Sequence, residues 1–167
     1  MTAVAALGFQ SCTDWDDHYD VTTDGSGVSD QTLWEQISNN PKLSNFAALM
    51  KKVGYDKALS TNQSYTVWAP GNDAFDFEKY NAMSDSLLKA EFLNNHIARG
   101  YHRATGEINE RVHLLNKKVM AFQGNGRYTL GNIAIDSTNM LGKNGIIHLM
   151  SSYMDFRPNF YEEFLRN

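Results

Sequence analysis

The feature that most restricts the fold is a change in the spacing of apolar residues along the chain. Leu33, Trp34 and Ile37, then Leu43, Phe46, Leu49, Met50 and Val53, recur at three- and four-residue steps. That is the spacing of helices with one buried stripe. Ser29-Asp30 offers a cap for the first helix, Asn40-Pro41 restarts the chain into the second, and Gly54 stops it. From Ser64 to Ala69 the step drops to two. Tyr65, Val67 and Ala69 alternate with Thr66 and Trp68, which predicts a strand with one face towards a core. Pro70-Gly71-Asn72 breaks that strand. A short helix with Phe75, Phe77 and Tyr80 is expected next. Ser84 then caps a helix carrying Leu87, Leu88, Phe92, Leu93 and Ile97, which Gly100 closes. Beyond it the chain turns to strands. Val119 to Phe122 and Arg127 to Leu130 flank the hairpin signal Gly124-Asn125-Gly126, and Asn132 to Asp136 alternates again. Asn144-Gly145 launches the apolar strand Ile146 to Met150. Helices, one strand, helices and then a run of strands predict an α+β domain with an antiparallel sheet or sandwich.

Charge and composition exclude several classes of function. The 167 residues include 15 Lys and Arg against 19 Asp and Glu, a formal net charge of -4. Only the pairs Lys51-Lys52 and Lys117-Lys118 cluster positive charge, so nucleic acid is not an expected partner. At 42% apolar residues the chain can bury a real core. Cys12 is the sole cysteine, which rules out an internal disulfide. It follows the apolar stretch Ala3 to Phe9 and the small residue Ser11. Leu7 to Cys12 reads as a loose bacterial lipobox, in which Cys12 becomes lipidated and residues 1–12 are a signal-peptide remnant. The first basic residue is Lys42, so the positive leader that such a peptide needs is missing. Asp14, Asp16, Asp17 and Asp20, followed by Gly25-Ser26-Gly27, read as a flexible acidic tether over residues 13–28.

Three blocks carry a resemblance. Tyr65-Thr66-Val67-Trp68-Ala69-Pro70-Gly71-Asn72-Asp73-Ala74-Phe75 resembles the first signature of the fasciclin family. Leu93-Asn94-Asn95-His96-Ile97 resembles its central helix, and Asn144-Gly145-Ile146-Ile147-His148-Leu149-Met150 its second signature. Gly71 stands where Thr is commoner. The resemblance covers residues 29–158, leaving 159–167 as a tail or a lead into a further module. It implies a fasciclin-like, wedge-shaped β-sandwich of two short sheets with flanking helices. It also implies a non-catalytic adhesion or binding module, with a surface protein, a matrix protein or a glycan as partner and no cofactor. For a bacterial member it implies a lipid-anchored protein of the cell surface or outer membrane. An accessory lipoprotein of polysaccharide capture and uptake is the alternative.

The motif residues Pro70, Asn72, Asp73, Phe75, Asn95, His96, Asn144, Gly145 and His148 are expected to act mainly in the structure. Asp73 reads as a helix cap or as a contact at the adhesive edge. His96 and His148 read as buried imidazoles satisfied by backbone groups. A zinc site would need more converging ligands, and no His-Glu-x-x-His is present. Trp68, on the face opposite Val67, is a candidate partner contact, as are Asp73 and the pair Tyr101-His102. No Gly-x-Ser-x-Gly elbow, phosphate loop or dinucleotide fingerprint occurs in the chain.

Overall fold

A computed structural model describes residues 27–158. Cys12 with its lipobox, Trp15, the acidic run behind it and the tail from 159 to 167 lie outside the described residues.

Helix α1 (Leu33–Asn39) is capped by Thr32 rather than by Ser29 or Asp30, because Glu35 sits three residues on and closes a reciprocal capping box. Asn40 and Pro41 start a tight turn that leads into α2 (Ser44–Lys52). Gly54, at φ 82°, ends it in the left-handed conformation that suits glycine. A further turn, α3 (Tyr55–Ala58), precedes strand β1 (Tyr65–Pro70). Then come α4 (Phe77–Asn81), α5 (Asp85–Leu87) and a distorted wider turn over Leu88–Phe92. The helix predicted to reach Ile97 and close at Gly100 in fact ends at Asn95, and Ile97–Arg99 is strand β2. The reason lies in tertiary pairing: Val67 of β1 takes Ile97 as its antiparallel partner.

Strands β3 (Glu107–His113), β4 (Val119–Asn125), β5 (Tyr128–Leu130), β6 (Ile133–Gly142) and β7 (Gly145–Met150) follow. Strand β3 escaped the sequence reading because Val112 is its only buried residue, so it shows no alternation. The strands form one seven-stranded sheet in the order β2-β1-β7-β6-β5-β4-β3.

This corrects the expected sandwich of two short sheets. Strand β6 is ten residues long, and its register with β7 shifts between Ile135 and Ser137 and again between Ser137 and Met140. Such irregularities bend a strand, so a single sheet curls round instead of splitting. Its ends nearly meet. Ala98 bridges to Leu114, and the Leu115 amide donates to the Ile97 carbonyl at 2.8 Å. The sheet is mixed, since β1 and β7 run parallel.

Curling produces two cores. Leu33, Ile37, Phe46, Leu49, Val67, Phe92 and Ile147 pack between the helices and the outside of the sheet. Trp68, Ala98, Val112, Phe122, Leu130 and Met150 fill the inside of the curl. Strand β1 is therefore buried on both faces and not on one. Parallel pairs sit characteristically in that environment.

Candidate functional site

The signature blocks converge on a set of side chains that tie loops and helix ends to the sheet. His96, at the end of the helical segment, is wholly buried against Phe46 and Phe92. Its Nδ1–H donates to the Phe92 carbonyl at 2.8 Å, and its Nε2 accepts from the Met154 amide at 2.9 Å. Asn95 beside it donates to the Met154 carbonyl at 3.0 Å and accepts from Asn116 at 2.6 Å. Helix end, hairpin and the segment after β7 are thus joined at one point.

His148 does the same inside the curl, in the opposite tautomer. Its Nε2–H donates to the His102 carbonyl at 2.8 Å, and its Nδ1 accepts from the Asn139 amide at 3.2 Å. Asn139 stands at φ 57° in the irregular part of β6. Asn tolerates that conformation better than most residues. Its side chain then pairs with both backbone groups of Ala104, at 2.9 and 2.7 Å. The loop from Gly100 to Gly106 is held further by Thr66 Oγ1, which accepts from the His102 amide, and by the Tyr128 hydroxyl, which donates to the Gly106 carbonyl. Asn139, Thr66 and Asn116 were not singled out from the sequence.

For both buried imidazoles, loss of solvation outweighs the hydrogen bonds and drives the pKa down to about 4. Each ring is neutral at pH 7, with both nitrogens occupied.

Asn144 clasps a third point. It accepts from the Leu33 amide at 2.8 Å and donates to the Leu59 and Thr61 carbonyls at 2.8 and 2.6 Å. Gly145 follows at a close crossing, where a Cβ would fall 2.0 Å from the Tyr65 carbonyl oxygen. Asn72 accepts from the Asn45 amide at 3.0 Å and donates to the Pro41 carbonyl and Ser44 hydroxyl, each at 2.9 Å. Pro70 ends β1 opposite Met150, and Phe75 packs on Phe92.

The candidate partner contacts separate. Trp68 is not on the surface. It is fully buried, stacked on His148 at 5.6 Å between centroids and set edge-on to Phe122 at 5.5 Å. The face opposite Val67 turns into the curl, which removes Trp68 as a contact. His102 is mostly covered, pairing with Glu110 at 2.6 Å and with the Arg99 carbonyl at 3.0 Å. Tyr101 is 52% exposed. Asp73 is exposed and caps no helix among the described residues; Asp76 takes that role by accepting from the Lys79 amide. Asp73 lines an open cleft of ≈ 490 Å³ with Lys42, Asn72, Asp136 and Ser151. Tyr101 follows the end of β2 that pairs with Tyr65, whereas Asp73 follows Pro70, so the two stand beyond opposite ends of β1. No group of three His, Cys, Asp or Glu side chains able to hold a metal occurs among the described residues, and no described helix is long and apolar enough to cross a membrane.

Comparison with known proteins agrees with this architecture. The solved FAS1 domain pair of the insect cell adhesion molecule Fasciclin I superposes with a TM-score of 0.53 at 14% identity, over 74% of this chain. The chain spans half of that structure's length, 50%. Protein sll1483 of Synechocystis sp. (strain ATCC 27184 / PCC 6803 / Kazusa) is 26% identical over 143 residues, 77% of this chain and 79% of its own length. The Fasciclin domain family model matches residues 41–155, more than half of the chain and all three signature blocks. This chain belongs to the fasciclin family.

Proposed function

We propose that this protein is a non-catalytic adhesion module of a bacterial cell surface, held there by a lipid on Cys12. A fasciclin domain suggests a binding or adhesion module, and the internal chemistry favours the same role. The observation that carries the reading is the commitment of the motif side chains. His96, His148, Asn95, Asn144 and Asn72 all spend their polar atoms on hydrogen bonds within the fold. A general base needs a nitrogen or oxygen free to meet substrate. What remains for recognition is the exposed surface: Tyr101 at one end, and the Asp73 cleft at the other. The partner is a surface or matrix protein, or a glycan, and no cofactor takes part. The cleft also gives some support to the alternative, an accessory role in polysaccharide capture, because carboxylates and amides around a shallow cleft suit sugar hydroxyls.

The test is binding of the full chain to arrays of matrix proteins and glycans, repeated with Asp73→Ala and Tyr101→Ala. Each substitution should leave stability within about 0.5 kcal/mol and weaken binding at its own end. Binding that survives both together would place the contact elsewhere. Labelled fatty acid should enter the wild type and not Cys12→Ser; equal labelling would end the anchor proposal.

A further inference from the structure

The chain contains two Asn-Gly dipeptides, Asn125-Gly126 and Asn144-Gly145, in opposite surroundings. Asn-Gly is the sequence most open to cyclisation, because glycine puts no side chain in the way of attack by its own backbone nitrogen. We propose that Asn125 is a site of spontaneous deamidation, and that the fold protects Asn144 from the same reaction.

Asn125 is exposed at the tip of the β4–β5 hairpin, where its side chain makes no hydrogen bond among the described residues. The β4–β5 ladder ends at Gly124 opposite Tyr128. Gly126 thus lies outside both strands, and its N–H makes no turn or loop hydrogen bond among the described residues. A Cβ built on Gly126 would have nothing within 4 Å, so the space above the reacting atoms is open. Asn144 differs at each point. It is 4% exposed, and its amide oxygen and nitrogen are held by Leu33, Leu59 and Thr61. Its carbonyl accepts from the Tyr65 amide at 3.2 Å, and a Cβ on Gly145 would collide with Tyr65 and Leu33. The Asn144 carboxamide cannot turn towards Gly145 without releasing three hydrogen bonds at once.

In the reaction the Gly126 nitrogen attacks the Asn125 side-chain carbonyl carbon. The new N–C bond closes a five-membered imide, the C–Nδ2 bond breaks, and the nitrogen's proton leaves with ammonia. Water then opens the imide at either carbonyl, giving Asp or isoaspartate. The product adds a negative charge at the hairpin tip, across the ladder from Glu107.

The test is peptide mapping by mass spectrometry after incubation of the full chain at mildly alkaline pH, folded and in denaturant. In the folded protein Asn125 should convert while Asn144 lags by on the order of 100-fold, since three hydrogen bonds must open together first. In denaturant the two should convert at similar rates, and Asn125→Gln should remove the hairpin signal alone. Asn125 unchanged in the folded chain yet converted in denaturant would overturn the proposed site. Equal folded-state rates at Asn125 and Asn144 would overturn the protection.

Discussion

The two cores of this domain are built from different physics. Between helices and sheet, Phe46, Phe75, Tyr80 and Phe92 pack ring against ring, with Tyr80 and Phe92 stacked at 3.9 Å between centroids. Inside the curl the apolar filling is thinner, and Trp68 and Phe122 share the space with the polar His148. The outer core holds together mainly by buried area, with His96 pinning its edge to Phe92 and Met154. The inner one also depends on hydrogen bonds that pin a loop and an irregular strand. The difference teaches that the family signatures serve both layers: His96, Phe75 and Asn144 tie the helices to the outer core, and His148 with Trp68 closes the inner space.

The largest effect of a single substitution should come from the outer core. Phe92→Ala removes the ring shared by Phe46, Phe75 and Tyr80 and should cost about 3–5 kcal/mol in a denaturant melt. A loss below that range would mean the helices rest on the sheet less tightly than the ring contacts imply.

Acid should come next. His96 and His148 have folded pKa values lowered from 6.5 to about 4, so the unfolded chain binds more protons between those values. Stability is therefore present in full above pH 6.5 and declines as pH falls towards 4. Each ring contributes on the order of 3 kcal/mol to that decline. Urea melts at pH 7 and at pH 4.5 measure it, and His148→Gln should remove part of the slope.

At pH 7, His148→Ala and His96→Ala should each cost roughly 1–3 kcal/mol, from the backbone groups left unpaired. Hydrogen exchange separates the two layers. His148→Ala should expose the amides from Gly100 to Gly106, and His96→Ala those near Met154. Exchange spreading evenly in both variants would erase the distinction between the cores.

Trp68→Phe should have the smallest effect, under about 1.5 kcal/mol. The Trp68 indole N–H is buried with no partner among the described residues, so the exchange removes an unpaired donor along with some volume. A larger loss would reveal a hydrogen bond donated by that N–H, and with it an inner space wetter than the outer one.

How much of this was legible in the sequence depends on range. The helices over Leu33–Asn39 and Ser44–Lys52 and the hairpin at Gly124–Gly126 follow from local spacing and turn residues. The three signature blocks mark the family from sequence alone. Strand β3 was hidden because most of its side chains face solvent and only Val112 is buried, and β2 because Ile97 continues a helical stripe that pairing with β1 overrides. Asp73 and Trp68 illustrate the same limit at single residues. One was read as a cap that Asp76 provides, the other as a surface residue when both faces of β1 are covered.

By itself the sequence determined the two leading helices, the hairpin, strands β1 and β7 and the blocks that mark the family, because those depend on residues near one another in the chain. Tertiary structure alone decided that one sheet curls almost closed and that β1 lies parallel to β7. It also decided which imidazole nitrogen donates and which accepts. Each of these depends on groups brought together from distant segments, such as Asn144 with Leu33 or His148 with His102, and a periodicity carries no record of such partners.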